Sequence, residues 1–220
     1  MSHFLVAVFL DGNTSYQDLL APYDESLEVP RKISKEEGIK IIRDEINRYR
    51  DGWYAEYIKN PRAYKKKYPN NPDHIEYISK IFPSKLKWTD EDCYAEWISR
   101  HAPEDVLEDG SISVTANPNA KWDWYDESGG RWGKLLVGYG GDKTNNAWIG
   151  DVDLSATDFS TVYAVVTPDG EWHAPGTVGW WGMSSETDGE AEKWRDEFND
   201  CFIEPAKESN WEVLIVDCHI

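Results

Sequence analysis

Apolar residues are concentrated in two short runs near opposite ends of the chain. His3 to Leu10 (HFLVAVFL) forms the first run, and Trp211 to Ile220 (WEVLIVDCHI) forms the second. Each run is rich in β-branched and aromatic residues, which is typical of buried strands. We therefore expect both segments to be strands of one sheet.

The pattern between residues 34 and 105 is helical. Glu37 follows Ser34 at the spacing of a capping box, and isoleucines then recur near helical spacing, which predicts a helix over residues 34–50. Shorter helical patterns, separated by prolines, follow at residues 53–59, 74–80 and 89–101. We interpret residues 34–105 as a helical insertion in a single domain that spans residues 1–220.

From residue 111 onward the pattern returns to strands and turns. Thr161 to Thr167 and Glu171 to His173 flank a Pro-Asp-Gly turn, which predicts a hairpin. A further strand is predicted at 133–139 and a helix at 190–203. Together these elements predict an α+β fold with an antiparallel or mixed sheet and helices on one face. A ferredoxin-like arrangement is one topology that would fit.

Composition supports a folded, acidic protein. Hydrophobic residues make up 40% of the chain, which includes 12 Trp, and the formal net charge is −18. Residues 111–220 hold 7 basic and 20 acidic side chains, a net charge of −13. Such a field repels phosphates and favours a basic protein partner or a cationic ligand, so no direct nucleic-acid partner is expected. The basic cluster at residues 62–67 is interpreted as a solvated face, with phosphate binding as the alternative.

The lack of recognisable targeting signals and the usage of cysteine lead us to expect a cytoplasmic protein. No segment reaches the roughly 20 consecutive apolar residues of a membrane helix, and the first ten residues lack the features of a signal peptide. Cys93, Cys201 and Cys218 form no CxxC pair and are expected to be reduced thiols. We expect no membrane partner.

The segment from Lys121 to Trp132 (KWDWYDESGGRW) is the most distinctive stretch of the sequence. In an extended conformation Trp122 and Trp124 project to the same side. Asp123 and Tyr125 then project to the opposite side. An aromatic wall that includes Trp124, together with Asp123 and with Arg131 as an anion clamp, can hold a planar, nucleotide-like ligand by stacking. The alternative is that the Trp rings fill the core, while Arg131 and Asp123 form a buried pair.

Histidines and a carboxylate on predicted strands extend this candidate ligand site. Asp217 and His219 point to one side of the last strand, with Cys218 on the other. His173 and His3 lie on other predicted strands and can approach His219, which would allow a His and Asp metal site. The spacing matches no metal motif, no Walker A or GxSxG motif is present, and we predict no metal, cofactor or catalytic residue.

A second aromatic segment, Thr177 to Met183 (TVGWWGM), places two adjacent Trp between glycines. Neighbouring residues on a strand face opposite ways, so one of Trp180 and Trp181 can be core and the other exposed. An exposed Trp would suit a partner-binding surface, because aromatic anchors dominate interface energetics. Packing of both rings in the core is the alternative.

Six segments, taken together, resemble a family of uncharacterised proteins encoded by bacteriophages, prophages and bacterial genomes. The segments are MSHF at residues 1–4, LAPYDE at 20–25, KWDWY at 121–125, GGRW at 129–132, GWWGM at 179–183 and VDCHI at 216–220. The link at residues 126–128 departs from the family pattern, where it is shorter and partly apolar. The resemblance implies a phage-related setting and supplies no mechanism.

These observations lead to two main hypotheses. The first is a non-enzymatic phage or prophage accessory protein that inhibits a host defence protein, whose basic surface it binds through its acidic, Trp-rich surface. The second is a protein that binds, sequesters or transforms a nucleotide-like small molecule. Its site would consist of Asp123, Trp124, Arg131, His173, Asp217 and His219. A phage structural or assembly factor is a third option.

Overall fold

The computed structural model describes residues 2–177 and 185–220, and these residues form two compact units. Unit 1 consists of residues 2–29 and 116–220 as far as they are described, and unit 2 consists of residues 30–115. The predicted insertion, residues 34–105, lies within unit 2.

The chain forms both helices and a mixed sheet, and the helices and strands are largely grouped in separate stretches of sequence, which confirms the predicted α+β class. The strands are β1 (His3–Leu10), β2 (Arg31–Ile33), β3 (Ile112–Val114), β4 (Trp124–Asp126), β5 (Leu136–Val137), β6 (Lys143–Thr144), β7 (Asn146–Trp148), β8 (Val162–Val166), β9 (Trp172–His173) and β10 (Glu212–His219). The helices are α1 (Tyr16–Leu20), α2 (Lys35–Tyr49), α3 (Ala55–Lys59), α4 (Pro61–Lys67), α5 (Pro72–Glu76), α6 (Phe82–Lys85), α7 (Asp90–Ser99), α8 (Asp188–Phe198) and α9 (Glu204–Ser209).

The two apolar runs are the central strands of the mixed sheet of unit 1. β1 pairs antiparallel with β10, with His3 opposite His219, and it pairs parallel with β8 on its other side. The described strand order is β4-β10-β1-β8-β9, and β7 also pairs with β10. In a ferredoxin-like sheet one strand separates the first two parallel strands, whereas here β1 and β8 are direct neighbours. The ferredoxin-like topology therefore does not describe this sheet.

Both faces of the sheet are covered, so β1 and β10 are buried on both sides. On one face Leu5 and Ile215 pack against Phe198 and Phe202, which lie at the end of α8 and in the π-helical turn Asn199–Ile203. The long helical segment predicted near residues 190–203 therefore covers this face. The opposite face carries Cys218 and is covered by α1 and by residues around Trp122.

Unit 2 is helical, with one small two-stranded sheet formed by β2 and β3. Helix α2 begins at the predicted capping box, in which Ser34 and Glu37 bond to each other's backbone N–H groups. Its buried face, with Ile42 and Ile46, packs in a core that also contains Trp97 of α7. In this unit α2 and α5 each continue into a π-helical turn, at Arg50–Tyr54 and Tyr77–Ile81, which explains why the predicted helix boundaries differ by a few residues.

Formal charge is divided unequally between the two units. The sequence of unit 1, residues 1–29 and 116–220, contains 7 basic and 25 acidic side chains, a net charge of −18. Residues 30–115 contain 16 of each, so unit 2 is formally neutral. Among residues 2–177 and 185–220, no helix has the length and apolar character needed to cross a bilayer.

Candidate functional site

Polar side chains collect in unit 1 at the sheet end where β1 begins and β10 ends. The alternation of β10 places Asp217 and His219 on one face, as predicted, while Cys218 enters the core on the other. Because His3 lies directly opposite His219, both imidazoles share that face. The ring centroids of the two histidines are 5.1 Å apart, at an angle of 76°.

His3 is held by the buried carboxylate of Asp217. Its Nδ1 lies 3.1 Å from each carboxylate oxygen, and Asp217 is 1% exposed. An ionised carboxylate accepts hydrogen bonds and does not donate them, so in a pair with ionised Asp217 the donor is Nδ1 of His3. The Nε2 atom on the other side of the ring is then the one that can exchange a proton with a bound molecule.

A glycine turn closes over the same carboxylate. The backbone N–H of Arg131 donates to Asp217 Oδ2 at 3.1 Å. Gly129 and Gly130 both have positive φ angles, 85° and 46°, and a Cβ atom on Gly130 would collide with Asp217 Oδ2. The turn needs glycine here because the backbone must adopt this conformation and approach the carboxylate closely.

The second histidine has its own carboxylate partner. His219 Nδ1 lies 2.5 Å from Asp123 Oδ1, and the backbone N–H of Asp123 donates to the carbonyl oxygen of His219 at 2.9 Å. His219 is 3% exposed, and its buried Nε2 has no hydrogen-bond partner within the described residues. An unsatisfied buried polar atom costs roughly 1–3 kcal/mol, which a ligand or water on Nε2 would recover.

Trp124 covers this pair of rings. Its indole stacks on the His219 imidazole with centroids 5.0 Å apart and an angle of 16°, and it meets His3 edge-on at 5.4 Å. The Trp124 side chain nevertheless remains 44% exposed. A molecule can therefore reach one side of the indole while the other side contacts His219.

Trp122 does not accompany Trp124 as predicted. Strand β4 begins only at Trp124, so the alternation assumed for residues 121–125 does not apply. Trp122 instead packs in the core of the opposite face, 5.0 Å from the Tyr125 ring. The alternative of a core role is thus correct for Trp122 and does not hold for Trp124.

Arg131 contributes its backbone to the site, and its side chain lies outside it. The guanidinium lies 5.9 Å from the centre of the Trp132 ring, and both side chains are exposed. Asp123 is bonded to His219, so the alternative of a buried Arg131–Asp123 pair is not observed. The anion-clamp role of Arg131 stays a prediction.

His173 is separated from the other site residues. It lies on β9 opposite Val165, whose side chain packs in the core of unit 1. The centroid of the His173 ring is 5.3 Å from that of the Phe202 ring. Its Nε2 is 3.2 Å from Thr167 Oγ1. The predicted approach of His173 to His219 is therefore wrong. In the sheet, β1 and β8 separate β9 from β10, and His173 is aligned with Val165 and Ala7, whereas His219 is aligned with His3 at the start of β1.

The structure bears on two chemical possibilities at this end of the sheet, a thiol nucleophile and a metal site. Burial raises the pKa of the Cys218 thiol, and the neighbouring Asp217 charge raises it further, so this thiol is not a nucleophile near neutral pH. Among residues 2–177 and 185–220, no group of three or more His, Cys, Asp or Glu side chains is arranged to hold a metal ion. Trp180 and Trp181, the candidate partner-binding residues, lie outside the described residues.

Four of the six segments that carry the resemblance contribute to this cluster, and a fifth contacts one of those four. His3 belongs to the MSHF segment, and the segments KWDWY, GGRW and VDCHI supply the groups described above. The LAPYDE segment joins them through Asp24, which forms a parallel bridge with Trp122. Comparisons with protein-family models, with curated proteins and with solved structures found no match to this chain.

Sequence reasoning missed the part that His3 and Gly130 play here. His3 was considered only as a metal ligand, although its place at the start of an apolar strand was a usable signal. The arrangement of two imidazoles, each with Nδ1 on a carboxylate, favours proton transfer through Nε2. The stacked indole adds a platform for a planar group.

Proposed function

We propose that unit 1 binds a small planar molecule against Trp124 and transfers protons to and from it through His3 and His219. The observation that carries this proposal is the pair of carboxylate-bound histidines at 5.1 Å, each with Nε2 free of the carboxylate. A carboxylate that is hydrogen-bonded to Nδ1 orients an imidazole and stabilises its protonated form. Aspartate has this role in other sites where a histidine acts as general acid and base.

The two histidines suit different parts of one reaction. His3 is partly exposed, so its Nε2 can exchange protons with solvent between turnovers. His219 is buried and its Nε2 has no hydrogen-bond partner among the described residues, so this atom is the one that we assign to a hydrogen bond with the ligand. We propose that His219 exchanges a proton with the reacting atom of the ligand and that the ligand stacks on Trp124. Asp123 and Asp217 are positioning residues, because they act by orienting the two histidines.

The test uses a small-molecule extract of bacterial cells and three variants of the full chain. We expect the unmodified protein to change the amount of a specific compound measured by mass spectrometry, and His219→Gln to slow that change by a factor of about 100 or more. Trp124→Leu should weaken binding of the same compound, seen as a higher concentration needed for half-maximal rate.

His101→Gln is the matched control. His101 in unit 2 also buries an Nε2 atom without a hydrogen-bond partner, but within residues 2–177 and 185–220 no hydrogen bond joins its imidazole to a carboxylate. We expect this variant to act as the unmodified protein does. A reaction that survives in His219→Gln, or an extract that no version of the protein changes, would show that the proton-transfer proposal is wrong.

A second candidate is the phage or prophage inhibitor that binds a basic host defence protein in the bacterial cytoplasm. The observation that favours it is the charge distribution in the sequence: unit 1 has a formal charge of −18, whereas unit 2 is formally neutral. Such a charge accelerates association with a basic surface, and the effect weakens in salt.

Host lysate passed over the immobilised full chain at low salt tests this candidate. We expect a basic protein to be retained and then eluted by a salt gradient, and the same protein should bind after both are purified. Retention of no basic protein at low salt would remove this candidate and would leave the proton-transfer proposal unaffected.

A further inference from the structure

An open cavity of unit 1 lies apart from the two-histidine cluster. It has a volume of about 630 Å³ and is formed by residues beyond the end of β1, in the turn between β8 and β9, and around Phe202 and Trp211. This volume falls within the usual range of small-molecule sites. His173, which the sequence singled out as a ligand residue, lines this cavity.

The cavity combines an aromatic floor with a negatively charged rim. Phe202 and the partly buried Trp211 supply aromatic surface, and Asp11, Asp169 and Glu171 supply carboxylates. Among the part of the chain that the structure describes, no Lys or Arg lines this cavity. Aromatic faces and carboxylates together are the groups that attract organic cations.

Two of these carboxylates are fixed as anions by the local backbone. Hydrogen bonds from the backbone and side chain of Asn13 hold the pKa of Asp11 below its usual value. The Thr167 hydroxyl and the Glu171 backbone N–H do the same for the pKa of Asp169. Both groups are therefore ionised at neutral pH, and the surrounding unit adds further negative potential.

We propose that this cavity binds a small organic cation of the amine class, with the cationic nitrogen between the carboxylates and the Trp211 ring. The proposal does not depend on the proton-transfer function, because the cavity shares no residue with the His3 and His219 cluster. Anions and neutral molecules of the same shape lack the attraction that the rim provides.

The chain contains a built-in reporter for this site. Cys201 lines the cavity and is exposed, whereas Cys93 and Cys218 are buried. The rate at which Cys201 reacts with a thiol reagent therefore reports the occupancy of the cavity and its local charge. A trimethylammonium methanethiosulfonate should react faster than its sulfonate counterpart at low salt, because the rim attracts the first and repels the second.

The binding experiment compares choline with 3,3-dimethyl-1-butanol, its neutral isostere, as protectants of Cys201 in the full chain. We expect saturating choline to slow modification by about fivefold or more and the neutral isostere to have little effect. Glu171→Gln and Trp211→Leu should each raise the choline concentration needed for half-protection by about fivefold. Glu171 is exposed, so its variant keeps the fold even if Trp211→Leu does not.

Asp158→Asn is the matched control, because Asp158 caps a turn in unit 1 through Ser160 and does not line this cavity. Protection by choline should be unchanged in that variant. Equal protection by the neutral isostere, or equal protection in Glu171→Gln, would overturn the proposal. Protection by a decalysine peptide without protection by choline would overturn the assignment to a small cation.

Discussion

The two units of this chain differ in charge balance, since unit 1 is strongly acidic and unit 2 is formally neutral. Unit 1 has a sequence with a formal charge of −18 around a sheet whose central strands are buried on both faces. Unit 2 contains equal numbers of acidic and basic side chains and pairs several of them, including Arg100 with Glu45 and Glu96. The difference indicates that the apolar sheet of unit 1 tolerates self-repulsion that unit 2 does not face.

The largest expected effect is the loss of stability when a closely packed glycine is replaced by alanine in either unit. Gly130→Ala places a methyl group against the Asp217 carboxylate at a positive φ, and we expect a loss of about 3 kcal/mol in the stability of unit 1. Gly38→Ala places its methyl against the Trp97 indole in unit 2. Hydrogen exchange followed by mass spectrometry should show each change in the peptides of its own unit.

Gly141→Ala is the control for Gly130, since it also has a positive φ but no atom within 4 Å of the added Cβ. We expect it to cost about 1 kcal/mol. Equal losses in Gly130→Ala and Gly141→Ala would show that the contact with Asp217 does not constrain the turn.

Alkaline pH should distinguish the units through their buried thiols. Burial raises the pKa of the Cys218 thiol above 9.0 in folded unit 1. The thiol therefore loses its proton more easily in the unfolded chain, and the free energy of unfolding is unaffected below pH 9 and falls as the pH rises above it. We expect a loss of about 1.4 kcal/mol for each pH unit above 9, measured by urea unfolding between pH 8 and 10.

Cys93 provides the comparison in unit 2. Burial also raises the pKa of Cys93, but the charge of Arg43 acts in the opposite direction, so the alkaline loss should be smaller there. Cys218→Ala should remove the extra loss in unit 1 even if it lowers stability at neutral pH. An unchanged pH profile in Cys218→Ala would exclude the thiol as its cause.

The smallest expected effect is that of salt. Raising sodium chloride from 20 mM to 500 mM screens the repulsion within unit 1 and should stabilise it by about 1 kcal/mol, with little change in unit 2. Hydrogen exchange in the two sets of peptides measures both at once. A similar shift in both units would contradict the charge comparison.

Local patterns in the sequence predicted the elements whose signals are short-range. β1, β10, the β8–β9 hairpin and the capping box of α2 all lie where the apolar periodicity and turn residues place them. Strand order depends on contacts distant in sequence, so the direct pairing of β1 with β8 could not be read from the same patterns.

Of the six residues assigned to one candidate ligand site from the sequence, four have side chains that lie together. Asp123, Trp124, Asp217 and His219 do meet, because β4 pairs with the end of β10. His173 lies elsewhere since its hairpin pairs at another part of the sheet. The reversal of Trp122 also escaped prediction, because a segment of twelve residues gives no signal for where strand pairing begins.

The antiparallel pairing of β1 with β10 has a consequence for synthesis on the ribosome. Opposite residues such as His3 and His219 are joined across more than 200 residues of chain, so the seven buried side chains of β1 wait for a partner strand that is translated late. Unit 2, a continuous segment of the chain, can complete its core long before that. During this interval β1 is an exposed apolar strand that a ribosome-associated chaperone would recognise.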